Sequence, residues 1–159
     1  CKRLMIRNIL FLPIFMIVTH CGFKPIDSSL SSMSIKNVEI QGYNKVNFFI
    51  KNELINKMRD SEQKTPVDIK ITTERKKEIS EKNIRNEITK YKIILNTKVE
   101  IKKFNQEQLF EFDISTLGDY RVETSSINTS KNLNNLEKKL SNEILNKIKQ
   151  ELFFLNNDL

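Results

Sequence analysis

Histidine occurs once in this sequence of 159 residues, at His20, and cysteine twice, at Cys1 and Cys21. Tryptophan is absent, and glycine and proline appear only three times each. These scarcities exclude much chemistry. Cys/His nucleophile pairs, Ser-His-Asp triads and the commonest zinc sites all need histidine or clustered cysteine. Gly22, Gly42 and Gly118 stand too far apart to form a phosphate-cradling loop. Glu111 and Asp113 lie two apart on a candidate strand and share a face, as an acid/base pair would. Nothing beside them marks a sugar cleft, and a solvated strand face accounts for them. The sequence points to a protein that is not an enzyme and uses no cofactor or metal.

The first segment is basic and then apolar. Lys2, Arg3 and Arg7 precede ILFLPIFMIV, residues 9–18, which carry no charge. A spanning helix needs about 20 apolar residues, whereas a secretory leader needs a core of about 7–15. The run fits a leader, and Pro13 interrupts it. The chain opens on Cys1, so Met5 is a further candidate start. The apolar run ends on Cys21, which is read as a lipid attachment point; a buried thiol in an apolar helix is the alternative. Val18 and Thr19 suit a lipoprotein leader, while His20 stands where a small residue is usual. Residues 1–20 are accordingly read as a lipoprotein signal peptide and 21–34 as a lipid-anchored tether, with a single domain over 35–159. Lys24 to Ser34, fully extended, reaches about 35 Å. Gly22, where inner-membrane lipoproteins usually carry aspartate, directs the expectation to the outer membrane, on its periplasmic side.

Without the leader, the chain has neither a second cysteine nor a histidine, so no internal disulfide is expected. It keeps 24 basic and 20 acidic residues, a formal charge of +4. Ile35, Val38 and Ile40 suggest a first strand ending at Gly42. Val46, Ile50, Leu54 and Met58 then recur every four residues, flanked by Phe49 and Ile55, which predicts an amphipathic helix with Asn44 as its cap. Val67, Ile69, Ile71 and Thr73 alternate after Pro66. A charged connection, RKKEISEKNIRNE, leads to the clearest strand, with Tyr91, Ile93, Leu95, Thr97, Val99 and Ile101 on one face. A turn around Asn105 follows, then Phe110, Phe112 and Ile114 inward, and a bend at Gly118. The last helix carries Leu136, Leu140, Ile144, Ile148 and Leu152, with Leu133, Leu145 and Phe153 flanking and Ser130 as its expected cap. The expected fold is α+β: a two-layer sandwich, β-α-β-β-β-α, with a mostly antiparallel four-stranded sheet and two helices on one face.

Cys21, Gly22, Phe23, Lys24, Pro25 and Ile26 form a run that resembles the start of the mature chain in the LptE family of lipopolysaccharide-assembly lipoproteins, especially its short alphaproteobacterial forms. Ser126, Ile127 and Asn128 match that family's Ser-x-Asn stretch before the last helix, with Ile127 where tyrosine is usual. The element order agrees as well. The resemblance implies an outer-membrane lipoprotein that plugs an LptD-type β-barrel, assists its assembly and helps place lipopolysaccharide in the outer leaflet. Its partners would be that barrel, lipopolysaccharide and the membrane through the anchor, and not nucleic acid. Lys92 and Lys98, outward on the third strand between Lys90 and Lys102, and Arg121 beyond Gly118 are the expected lipopolysaccharide-binding residues, because its phosphates need cations. Two other readings compete. One is an unrelated periplasmic envelope lipoprotein. The other is a basic α+β nucleic-acid-binding module, disfavoured because the outward positions lack aromatics to stack bases.

Overall fold

The computed structural model describes residues 33–58, 65–104 and 108–157. The leader, Cys21 and the turn at Asn105 lie outside the described residues. The elements are β1 (Met33–Gly42), α1 (Asn44–Lys57), β2 (Thr65–Lys82), β3 (Ile88–Lys103), β4 (Leu109–Arg121) and α2 (Ser126–Asn157). Their strands lie side by side in sequence order in one four-stranded sheet. The β2–β3 and β3–β4 pairs are antiparallel, and β1 runs parallel to β2. Parallel neighbours need a crossover, which α1 supplies. The α+β class and the element order are as the sequence implies.

Alternation builds the core. Val67, Ile69 and Ile71 of β2 meet Ile93, Leu95, Val99 and Ile101 of β3 on one face, each at most 2 % exposed. Both helices cover that face. Leu140, Ile144, Ile148 and Leu152 line the buried side of α2, and Val46, Ile50 and Leu54 that of α1. Burying each such side chain contributes about 1.5–3 kcal/mol. Three polar side chains in this core are joined to one another. Thr97 and Thr73 share a hydrogen bond of 3.0 Å, Thr73 donates to Asn47 Oδ1 at 2.6 Å, and the Asn47 amide donates to the Gln41 carbonyl at 2.5 Å. Burying a hydroxyl or amide without such partners would be costly.

Several local expectations change. β1 begins at Met33, so Met33 and Ser34 are buried strand residues rather than tether. A register shift between Ile35 and Asn37 explains the imperfect alternation, since the bulge brings Val38 back to the core side. Tyr43, not Asn44, is the N-cap of α1, and it makes no side-chain cap bond. Gly42, at φ 84°, turns the chain so that the Tyr43 amide donates to the Thr73 carbonyl at 2.8 Å. Ile55 is 39 % exposed and Asn47 takes part in the buried stripe instead. Ser130 lies inside α2 and not at its start. Thr129 ties the first turn down, accepting from the Glu123 amide at 2.8 Å.

Gly118 does not bend β4, which pairs with β3 from Leu109 to Arg121 without a register shift. It faces α2, where a Cβ would lie 2.6 Å from Leu136 Cδ1. Its value is close approach of helix to strand. The charged connection after Glu74 is also strand: β2 continues to Lys82 and pairs with β3 as far as Ile88. At the tip Asn83 accepts from the amides of Arg85 and Glu87, and Asn86 takes φ 61°. Asparagine tolerates that conformation, so the hairpin closes without glycine.

Candidate ligand-binding face

The helices leave the other face of the sheet open, and its side chains form rungs across β2, β3 and β4. Successive rungs read Lys70–Glu100–Glu111, Thr72–Lys98–Asp113, Glu74–Asn96–Ser115, Lys76–Ile94–Leu117 and Glu78–Lys92–Asp119. The expected basic face is therefore a mixed one. β3 supplies lysines, and the strands on either side supply carboxylates opposite them.

The three expected cations differ in setting. Lys98 is held by Glu111 at 3.0 Å and Glu100 at 3.6 Å. The hydrogen bond to Glu111 holds its ammonium above the usual lysine range, reinforced by the charge of Glu100. Lys92 lies in register with Glu78 and Asp119 but forms no ion pair with a described residue. Arg121 lies in register with Lys90 on the neighbouring strand. Lys90 also bonds Glu81, and that bond is the main cause of the lowered Glu81 carboxyl, with Arg121 adding its charge. Lys92 and Arg121 thus share the hairpin end of the face. Lys98, six positions along β3, stands about 20 Å away. The fold does not bring the three together.

A second polar centre lies on the helix side. Glu137 of α2 is 2 % exposed and takes the Tyr43 phenol at 2.8 Å, Lys45 Nζ at 2.7 Å and Arg75 Nε at 3.0 Å. Burial pushes its carboxyl up, but the donors Lys45, Tyr43 and Arg75 outweigh it and hold the group below the usual glutamate range. Burial also raises Tyr43, and the bond to Glu137 raises it further. Every group is occupied by its neighbours, which marks a structural clamp of α1, β2 and α2. No sequence signal points to it, because Glu137 stands beside Leu136 in an otherwise ordinary amphipathic helix.

Ser126, Ile127 and Asn128 form the first turn of α2, where Ile127 is 78 % exposed. Glu111 and Asp113 share the open face as their spacing implies, Glu111 holding Lys98 and Asp113 lying in register beside it. Phe110 and Phe112 pack against the core, and stacking aromatics are missing from the rungs above. Among the described residues no cluster of metal-ligating side chains occurs, and no helix is long and apolar enough to cross a membrane.

No protein-family model matches the chain, and no curated protein does. Its fold does match solved structures. Rare lipoprotein B from Shewanella oneidensis superposes with a TM-score of 0.57 at 11 % identity, over 77 % of this chain and 97 % of that one. A candidate lipoprotein from Caulobacter crescentus gives a TM-score of 0.55 at 10 % identity, over 86 % of this chain and 98 % of that one. At such identities the likeness is one of fold.

Proposed function

We propose that this chain is an envelope lipoprotein of the LptE type, anchored through Cys21 to the periplasmic side of the outer membrane. There it occupies an LptD-type β-barrel, supports that barrel's assembly and assists passage of lipopolysaccharide to the outer leaflet. The observation that carries this reading is the whole-domain fold, shared with two lipoproteins and set behind an apolar run ending in Cys21-Gly22-Phe23-Lys24-Pro25-Ile26. The work is one of binding and positioning. A sheet covered by helices on one face and carrying paired charges on the other suits contact with a polar lumen wall or ligand. Detergent extraction of outer membranes followed by affinity purification should recover a large β-barrel in stoichiometric amount. Recovery without any barrel would sink the proposal.

A further inference from the structure

The middle of the open face is a hollow of about 500 Å³. Thr72, Glu74, Asn96, Lys98, Asp113 and Ser115 line it. Its cause is side-chain length. Thr72, Asn96 and Ser115 are short, and they sit between a rung of Lys70, Glu100 and Glu111 and a rung of Lys76, Ile94 and Leu117. Twist alone makes a sheet saddle-shaped, and short central residues deepen the saddle.

The hollow has a definite inventory of polar groups. Ser115 donates its hydroxyl to Asn96 Oδ1 at 2.9 Å, which leaves the Asn96 amide hydrogens as donors. The carboxylates of Glu74 and Asp113 form no hydrogen bond or ion pair with described residues, so their oxygens are free acceptors. Lys98 is drawn aside by Glu111 and Glu100. At the rim Leu117 is 61 % exposed. Free carboxylates repel a phosphate, and the one lysine present is already neutralised. Neutral hydroxyls are a better match, since each both donates and accepts. Carboxylates take hydroxyl protons, the amide and the Thr72 hydroxyl give protons back, and an exposed leucine covers carbon-bound hydrogens.

We propose that this hollow is a saccharide subsite, recognising vicinal sugar hydroxyls. The source of the sugar, the saccharide portion of lipopolysaccharide, rests on the function proposed above; the hydroxyl chemistry does not. Lys92 lies four positions from Asn96, about 13 Å along β3. A phosphate held near Lys92 and Arg121 and a sugar held in the hollow fit one ligand lying along the face.

The test is calorimetric titration of the intact protein with delipidated, dephosphorylated core oligosaccharide. Binding should be measurable and nearly independent of salt, because no charge on the probe is matched. Asp113→Asn, close to isosteric, combined with Glu74→Gln should weaken it at least about tenfold. Asn96→Leu, which fills the hollow, should do the same, with circular dichroism confirming an unchanged fold. An oligosaccharide that fails to bind the wild-type protein, or binds both variants as tightly as the wild type, overturns the subsite. Retained barrel co-purification with no oligosaccharide binding would discard the subsite and leave the proposed function standing. Oligosaccharide binding without a barrel partner would keep the subsite and discard that function.

Discussion

Tyr43 and Glu137 are 94 positions apart in sequence, yet the phenol of one donates to the carboxylate of the other at 2.8 Å. Lys45 and Arg75 complete the clamp on Glu137. Glu137→Gln removes the charge that all three donors address and should cost about 1–3 kcal/mol in urea unfolding at neutral pH. The upper values for a broken buried ion pair do not apply, since Lys45 is half exposed and regains water.

The pH dependence has a definite sign. Glu137 is held below the usual range in the folded protein, so it binds a proton less readily folded than unfolded. Its contribution is complete above the unfolded value of about 4.3 and disappears as pH falls through the lower folded value. Wild-type stability should therefore drop more steeply than that of Glu137→Gln as pH is lowered below about 4.3. Parallel pH profiles would show that the clamp is not ionised in the way described.

The face of α2 is tested by substitutions on either side of it. Ile144→Ala or Ile148→Ala, at fully buried positions, should each cost about 2–5 kcal/mol. Lys139→Ala and Lys147→Ala, on the exposed side, should remain within about 0.5 kcal/mol of wild type. Equal losses in both pairs would contradict the helix phase.

Two glycines should respond differently to alanine. At Gly42 the backbone has φ 84° and a Cβ would stand 2.2 Å from the Thr73 carbonyl oxygen, so Gly42→Ala should cost about 2–3 kcal/mol. At Gly118 the clash is with the end of the Leu136 side chain, which can rotate. Thermal unfolding should rank Gly118→Ala clearly above Gly42→Ala.

Lys92, Lys98 and Arg121 replaced together by serine should weaken lipopolysaccharide binding by about tenfold, or 1.4 kcal/mol, at low salt. Lys98→Ser alone should have little effect, because that lysine is already committed to Glu111 and Glu100. Binding of the phosphorylated ligand should weaken as salt rises, unlike that of the bare oligosaccharide. An unchanged triple mutant would reduce these cations to partners of the neighbouring acids.

Cys21→Ser should abolish the lipid-modified N-terminus, which mass spectrometry of the native protein reads as a diacylglyceryl cysteine. A free Cys21 thiol behind an intact leader in the native protein would contradict the anchor.

Alternation made β3 legible from its sequence, because Ile93 to Ile101 are buried on every second position by the helix layer. The same rule failed in the second half of β2. Arg75 to Lys82 run beyond most of that cover, so backbone pairing to β3 persists where apolar selection has stopped. The mixed charge of the open face was hidden for another reason. Lysines at 90, 92 and 98 are visible along one strand, whereas all the acids beside them except Glu100 come from other strands and depend on register. The hollow likewise exists only when Thr72, Asn96 and Ser115 are brought side by side.

The parallel edge strand bears on the order of assembly. The β2–β3–β4 meander closes through short connections, so its pairings form at low entropic cost. β1 is made first yet has no neighbour until β2 exists and the intervening helix is in place. Contact order therefore predicts that β1 pairs last, after the meander. The same logic operates in reverse. The amides that β1 donates to its single neighbour belong to the unit that opens first, and hydrogen exchange should release them before those of Leu95 and Val99 at the sheet centre.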